Sequence, residues 1–188
     1  MKTCLLVIDA QQSFRNRPYS SERDMPAYLA FQNALIAGCT ARGVPVVRVL
    51  HVDGSKSKDN PFAIESSHVV PLEGLANFTP AAAFVKGRHS ALIGTGLEVW
   101  LTQQGIQRLI INGIRTEQCC ETTTRHASDL GWEVDFVLSA TLTWDMQLLS
   151  CSPLSAADIK ARTAAVLTDR FATICSVEQA LDRAGTAL

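Results

Sequence analysis

Three side chains of complementary chemistry stand at or shortly after the ends of aliphatic runs in this chain: Asp9, Lys86 and Cys119. A thiol attacks a carbon centre once it has lost its proton, and a carboxylate can accept that proton and return it to a leaving group. A nearby lysine can stabilise the charges that form. The three residue types therefore fit nucleophilic chemistry, provided that the fold brings them to one place.

Aliphatic runs of strand length alternate with stretches that repeat apolar residues at helical spacing. The predicted strands are Cys4–Ile8, Val46–Val52, Ala82–Val85, Arg108–Ile114, Val134–Leu138 and Ala172–Cys175. The predicted helices are Ala27–Arg42, Thr95–Gln104, Thr116–Leu130, Ala156–Leu167 and Ser176–Ala184. This alternation is typical of βαβ crossovers. We therefore expect a single domain over residues 1–188, with a doubly wound, three-layer α/β/α fold and a mainly parallel sheet of about six strands.

The carboxyl edge of the predicted sheet collects the reactive residues. Ligands of open α/β sheets bind beyond the carboxyl ends of the strands, where Asp9, His51, Lys86 and Cys119 all project. With Thr116 as a helix N-cap, Cys119 would lie in the first helical turn, where free amides and the helix dipole stabilise a thiolate. The alternative that Cys119 is a small buried hydrophobic residue stays open on this evidence.

The bulk composition excludes several classes of partner. A formal net charge of −1 predicts no basic face for nucleic acid or an anionic membrane. The first aliphatic run is shorter than the ~7 residues of a secretory segment, and no apolar stretch reaches the roughly 18–20 residues of a membrane span. The six cysteines are not spaced like a disulfide framework. We expect a cytoplasmic protein that acts on a small molecule and needs no cofactor.

Three motifs resemble those of the isochorismatase-like cysteine hydrolases, which include nicotinamidases and carbamoylsarcosine and ureide amidohydrolases. Asp9–Phe14 is similar to D-x-Q-x-x-F, and Lys86–Leu92 resembles K-x-x-x-S-A-F with leucine in the last place. Gly113–Ala127 resembles G-x-x-T-x-x-C-V-x-x-T-x-x-x-A, the most specific of the three. The resemblance covers almost the whole chain. It implies a cysteine-nucleophile hydrolase that cleaves a C–N bond of a small amide, ureide or carbamoyl compound through a covalent acyl-enzyme.

The resemblance also implies roles for individual residues. Cys119 would be the nucleophile, Asp9 the proton acceptor and donor, and Lys86 the residue that holds both charges in place. A cis peptide would join Ile114 to Arg115, and the backbone amides of Arg115 and Cys119 would form an oxyanion hole. The candidate substrate-binding residues are Gln11, Phe14, His51, Arg115 and Trp144.

Departures from the family pattern leave the substrate open. Many relatives have a small residue at Arg115, valine at Cys120 and an acid at Ser139. The guanidinium of Arg115 would either meet an anionic substrate or reach solvent. The nicotinamidase branch binds metal through an Asp-x-His element, whereas this chain has the reverse order, His51-Val52-Asp53. We therefore expect hydrolysis without a metal.

Two other functions stay open on the sequence. Isochorismatase-type vinyl-ether hydrolysis uses no thiol, and relatives with that activity typically have glycine at the position of Cys119. A non-catalytic protein that binds ligands or senses oxidants through its thiol is the other alternative. Relatives commonly self-associate, so we expect a homodimer or a larger homo-oligomer. The long irregular segment Asp53–Pro80 would serve as a lid, a substrate loop or an oligomer contact.

Overall fold

A computed structural model, which describes residues 1–54 and 59–185, is built on a parallel sheet. Its strands are β1 (Thr3–Ile8), β2 (Val46–His51), β3 (Ala82–Lys86), β4 (Arg108–Ile114), β5 (Glu133–Leu142), β6 (Met146–Gln147), β7 (Pro153–Leu154) and β8 (Thr173–Ile174). The α-helices are α1 (Met25–Ala41), α2 (Leu97–Gln103), α3 (Glu121–Asp129), α4 (Ala156–Leu167) and α5 (Val177–Ala184).

Six of these strands form the central sheet in the order β3-β2-β1-β4-β5-β8, and every neighbouring pair is parallel. The order reverses between β1 and β4, as in doubly wound folds. Strands β6 and β7 form a separate antiparallel hairpin. The predicted fold class and the predicted strand number are confirmed.

Helices cover both faces of the sheet because the central strands are apolar on both sides. On β1, Leu5 and Val7 pack towards α1 and α5, whereas Cys4, Leu6 and Ile8 pack towards α2, α3 and α4. Helix α5 begins with a capping box between Ser176 and Gln179. No helix in the described part of the chain is long and apolar enough to cross a membrane.

Some element boundaries differ from the prediction. Strand β5 continues to Leu142 because a register shift between Ile111 and Gly113 of β4 lets pairing resume with Thr141. The β6–β7 hairpin was not predicted, since two-residue strands leave no readable alternation in the sequence. The predicted helix Thr116–Leu130 opens with a π-helical turn before α3 starts.

The long segment Asp53–Pro80 crosses the carboxyl edge of the sheet, where Leu72 donates its backbone N–H to the carbonyl of Ala10, and then runs back to the start of β3. Residues 55–58 lie outside the described part of the chain, and the rest consists of turns and extended stretches. Phe62, Ala63 and Leu72 of this segment are buried. The segment therefore contributes apolar side chains to the region where the reactive residues were predicted.

Candidate active site

The structure brings Asp9, Lys86 and Cys119 into direct contact at the carboxyl edge of the sheet. Lys86 Nζ lies 2.7 Å from Asp9 Oδ2 and 3.2 Å from Cys119 Sγ. The side chains of Asp9 and Lys86 have no exposed surface, and Cys119 is buried. The lysine thus bridges a carboxylate and a thiol in a site that largely excludes bulk water.

The strand register explains why these residues meet. Ile8 of β1 pairs with Val49 of β2, and His51 pairs with Lys86 of β3, so the ends of the three strands lie side by side. Asp9, the residue after β1, has a φ of 51° and donates its backbone N–H to the carbonyl of Val49. This turn directs the carboxylate across the edge of the sheet towards the lysine.

A close approach between β4 and β1 sets the position of Cys119. Gly113 has a φ of +125°, and a Cβ atom built on it would lie 1.9 Å from the carbonyl oxygen of Ile8. Only glycine fits such a position. After Gly113 the chain passes a cis peptide between Ile114 and Arg115, as the family resemblance implied, and enters the π-helical turn that carries Cys119.

That turn is not capped as predicted. Arg115 occupies the N-cap position, and no side chain caps the turn. The hydroxyl of Thr116 instead donates to Thr141 Oγ1 at 2.8 Å, which ties the turn to β5. Single π-helical turns are frequent at functional sites. Cys120, which follows Cys119 in the chain, is fully buried in the part of the core between the sheet and helices α2, α3 and α4.

The thiol of Cys119 is harder to ionise than the sequence suggested. Burial and, to a smaller extent, the charge of Asp9 raise its pKa to about 12, although Lys86 opposes both. The expectation of a stabilised thiolate was therefore wrong, because desolvation outweighs the neighbouring ammonium. The raised pKa favours the neutral thiol in the resting site.

Asp9 and Lys86 titrate as partners. Burial raises the pKa of Asp9, while the ammonium of Lys86 and a hydrogen bond with Cys119 pull it down. Burial lowers the pKa of Lys86, but the charges of Asp9 and Cys119 outweigh that effect and raise it above its ordinary value. Lys86 is therefore a permanent cation, and Asp9 has a higher proton affinity than an exposed aspartate.

Gln11, predicted to bind substrate, is occupied elsewhere. Its Oε1 accepts the backbone N–H of His51 at 2.7 Å, and its Nε2 donates to the carbonyl of His51 at 3.0 Å and to Ser13 Oγ at 2.8 Å. These bonds engage both ends of the side-chain amide, and Gln11 does not line the cavity above Cys119. Gln11 therefore fixes the backbone of His51 through these hydrogen bonds.

His51 lies beside Asp9, Lys86 and Cys119, and its ring contacts the lysine. Its Nδ1 is 3.2 Å from Lys86 Nζ. Because an ammonium group only donates, this contact favours the tautomer in which Nδ1 is the acceptor and the ring proton lies on Nε2. Burial and the charge of Lys86 lower the pKa of His51 to about 4. The ring is therefore a neutral hydrogen-bond donor at physiological pH.

A cavity of about 130 Å³ opens above Cys119. Its wall consists of Phe14, Arg17, Tyr19, His51, Asp53, Asn60, Phe62, His89, Gln118 and Cys119. Two predicted substrate-binding residues, Phe14 and His51, are among them. Phe62 contacts both, with ring centres 4.9 Å from Phe14 and 5.7 Å from His51. The sequence analysis did not identify Phe62 and Arg17, because they lie in segments without a periodic pattern of apolar residues. For Arg17, its proximity to the Asp9–Phe14 motif was a signal that could have been used.

The side chains of Arg115 and Trp144 lie behind this wall and do not form part of it. Arg115 Nε is 3.0 Å from Glu117 Oε1, and its guanidinium carbon is 4.7 Å from the ring centre of Tyr19. Trp144 is buried and stacks on Phe14 with ring centres 5.8 Å apart. The guanidinium is therefore paired with an internal acid, and its small exposed surface lies in a second pocket beside Tyr19, outside the cavity above Cys119.

No metal site is evident in the part of the chain that the structure describes: nowhere do three or more His, Cys, Asp or Glu residues group so that they could hold an ion. The site residues are instead engaged with one another. Besides its contacts with Asp9, Cys119 and His51, Lys86 Nζ donates to the carbonyl of Arg88 at 3.1 Å. The arrangement thus offers a thiol, an adjacent proton acceptor and a fixed positive charge beside a small cavity.

Comparisons with known proteins identify the family of this chain. The isochorismatase domain model matches residues 3–179. The isochorismatase family protein YrdC of Bacillus subtilis, itself uncharacterized, is 27% identical over 186 residues, which cover 96% of this chain and 95% of YrdC. Nicotinamidase 3 of Arabidopsis thaliana is 38% identical over 63 residues, 34% of this chain and 32% of that protein.

The fold has close counterparts among solved structures. A protein of the isochorismatase family from Chromobacterium violaceum superposes with a TM-score of 0.87 at 25% identity, over 96% of this chain and 92% of that one. Together with the match over residues 3–179, this similarity shows that the chain is a hydrolase that belongs to the isochorismatase family.

Proposed function

We propose that this hydrolase cleaves a C–N bond of a small amide, ureide or carbamoyl compound through a covalent acyl-enzyme on Cys119, without a metal. One observation carries the proposal: Lys86 Nζ contacts both the Asp9 carboxylate and the Cys119 thiol at the floor of the cavity. Amide hydrolysis needs a nucleophile, a proton acceptor that later becomes a donor, and a fixed positive charge. These three residues supply one each.

The first step transfers the thiol proton of Cys119 to Asp9. Burial raises the pKa of both groups, so the transfer moves a negative charge within the site and does not create one. Lys86 stabilises a negative charge on the carboxylate of Asp9 or on the sulfur of Cys119, since its Nζ contacts both groups. A thiol with a pKa of about 12 can therefore react at neutral pH when its partner carboxylate takes the proton.

In the second step, the thiolate attacks the carbonyl carbon, and the C=O π electrons move to the oxygen. We assign the backbone N–H groups of Arg115 and Cys119 as donors to this oxyanion. The cis peptide before Arg115 and the π-helical turn around Cys119 support that assignment. One such donor accelerates acyl transfer by about 10²–10³.

The intermediate then collapses in two stages. Asp9 gives its proton to the nitrogen as the C–N bond breaks, which releases ammonia or an amine and leaves a thioester on Cys119. A water molecule next attacks the thioester carbon while Asp9 accepts one of its protons. The S–C bond breaks, the thiolate recovers its proton from Asp9, and the carboxylic or carbamic acid leaves.

His51 is assigned a positioning role in this scheme. Its Nδ1 accepts a hydrogen bond from Lys86, so its Nε2–H is available to an acceptor atom of the substrate. Gln11 holds the histidine backbone on both sides and thereby fixes the direction of that donor. Phe14 and Phe62 would pack against the apolar part of the substrate.

A thiol-sensing function fits these observations less well. Cysteines that sense oxidants are exposed and have a lowered pKa. Cys119 is buried, and its pKa is raised to about 12. Such a thiol needs the adjacent base, which favours catalysis.

We also propose self-association through the edge of the sheet at β3 and α2. Val85, Ile93 and Val99 expose 51%, 49% and 58% of their surface in this region, a high fraction for aliphatic side chains. Light scattering coupled to size exclusion should give a mass of at least twice 20.4 kDa. A monomer at micromolar concentration would contradict this proposal.

The proposed activity is tested by ammonia release from a panel of small primary amides, ureides and carbamoyl compounds. We expect turnover of at least one class and its loss in Cys119→Ala. The matched control is Cys151→Ala, because Cys151 is exposed and does not line the cavity. A Cys119→Ala enzyme that keeps full activity would exclude the proposed mechanism.

A further inference from the structure

The cavity above Cys119 contains a cation that the proposed chemistry does not use. Arg17 lines the cavity and is exposed to solvent. Its guanidinium carbon lies 5.6 Å from the ring centre of Tyr19 and 6.0 Å from that of Phe62. These aromatic rings keep the side chain beside the cavity through cation–π attraction.

Arg17 forms no ion pair with any carboxylate in the part of the chain that the structure describes. The other cations near the cavity are engaged: Lys86 with Asp9, and Arg115 with Glu117. Arg17 is therefore the guanidinium whose charge is available to a ligand in this cavity.

We propose that Arg17 is a specificity-determining residue that binds a carboxylate on the substrate. This inference rests on the proposed function and narrows its substrate class to small amides, ureides or carbamoyl compounds that also bear a carboxylate. A guanidinium binds a carboxylate through two parallel hydrogen bonds, and stacking on aromatic rings leaves its donor edges free. The substrate must be small, because the cavity above Cys119 has a volume of only about 130 Å³.

The geometry orients such a substrate. Its scissile carbonyl lies at Cys119 on the floor, and its carboxylate lies at the mouth, where Arg17 meets solvent. Asp53 also lines the wall and has interactions of its own.

A test that needs no turnover compares two alkylating reagents of nearly equal size, iodoacetate and iodoacetamide. Each forms an S–C bond to Cys119 as iodide leaves, and only iodoacetate carries a negative charge. We expect the ratio of the iodoacetate rate to the iodoacetamide rate at Cys119 to exceed the ratio for a free thiol in the same buffer. In Arg17→Met this ratio should fall about tenfold, and Arg17→Lys should keep most of it.

Two further variants serve as controls. Arg170→Met removes an exposed arginine at the opposite edge of the sheet and should leave the ratio as in the wild type. His89→Gln removes the other exposed nitrogenous side chain of the wall. If His89→Gln abolishes the preference and Arg17→Met does not, the assignment to Arg17 is overturned.

A second test compares kcat/KM for substrate pairs that differ only in this charge, such as succinamate with succinamide and N-carbamoylglycine with its amide. We expect the wild type to have a higher kcat/KM for the acid than for its amide. In Arg17→Met the ratio of these two values should fall about tenfold, mainly because KM for the acid rises. Hydrolysis of both members at equal rates would refute the inference and leave the proposed function standing. If neither substrate is hydrolysed and neither reagent modifies Cys119, the proposed function fails and the inference fails with it.

Discussion

Lys86 Nζ lies 2.7 Å from Asp9 Oδ2, and neither side chain exposes any surface. Two charges buried in this way lose their hydration, and an apolar pair of similar volume often gives equal or greater stability. Stability therefore does not explain the pair. Its contact with the thiol of Cys119 does, because the same lysine can stabilise negative charge on either partner during proton transfer.

Removal of one partner should destabilise the fold strongly. In Lys86→Met the Asp9 carboxylate loses its counter-ion, and we expect the free energy of unfolding to fall by about 3–5 kcal/mol. The double variant Asp9→Asn/Lys86→Met should lose less than Lys86→Met alone, because it leaves no unpaired buried charge. Urea unfolding of both variants measures this coupling, with exposed Lys2→Met as the control. Additive losses in the double variant would mean that the two residues do not act as a pair.

Gln11 should matter for stability and for rate, although it does not line the cavity. Gln11→Ala leaves the buried N–H and carbonyl of His51 without their partners, which costs about 1–3 kcal/mol for each unsatisfied group. We expect a lower melting temperature and a lower kcat. Gln12→Ala is the matched control, because Gln12 accepts a bond at 3.2 Å from the exposed Glu73. Equal effects of the two substitutions would show that Gln11 does not position His51.

His51 should make stability depend on pH in a defined direction. Its pKa is lowered from 6.5 to about 4 in the folded state, so the unfolded chain binds more protons between those values. Stability must then rise with pH across this window and fall as the solution becomes more acidic. The raised pKa of Asp9 acts in the opposite sense, since the folded state there binds more protons.

The comparison with His51→Gln isolates the histidine contribution. Because Asp9 is present in both proteins, its opposing effect cancels in the difference. Urea unfolding at a series of pH values from 4 to 7 should show a smaller loss of stability at acidic pH in the variant than in the wild type. Parallel curves for the two proteins would show that His51 titrates normally.

Gly113 should tolerate no side chain. A Cβ at this position would lie 1.9 Å from the Ile8 carbonyl oxygen, and the neighbouring strands cannot separate without loss of pairing. We expect Gly113→Ala to be insoluble or to unfold well below the wild-type temperature. Gly87→Ala is the control, because the nearest atom to its added Cβ would be Val52 O at 3.8 Å. A folded, active Gly113→Ala protein would show that β1 and β4 can move apart.

Regular elements with a strong apolar pattern were predictable from the sequence. Strand Arg108–Ile114 and helix Ala156–Leu167 have the predicted bounds, because the first is rich in aliphatic residues and the second is amphipathic over three turns. The rule that ligand sites lie at the carboxyl edge of a parallel sheet then placed Asp9, Lys86 and Cys119 together. Their contact required no knowledge of the loops.

Features that depend on long-range packing were not predictable. The raised pKa of Cys119 follows from burial, which a local motif does not report. The pairing of Arg115 with Glu117 and the presence of Phe62 in the cavity depend on how irregular segments fold over the sheet. Such segments lack a period that would assign their side chains to one face or another.

The most direct test of the account is intact-mass analysis of the enzyme quenched during the first turnovers of a substrate from the amide panel. The account predicts a transient adduct on Cys119 with the mass of the substrate less that of ammonia or the leaving amine. The adduct should be absent in Cys119→Ala and present in Cys151→Ala. Hydrolysis that proceeds without this adduct, in an enzyme that remains active as Cys119→Ala, would contradict the proposed covalent mechanism.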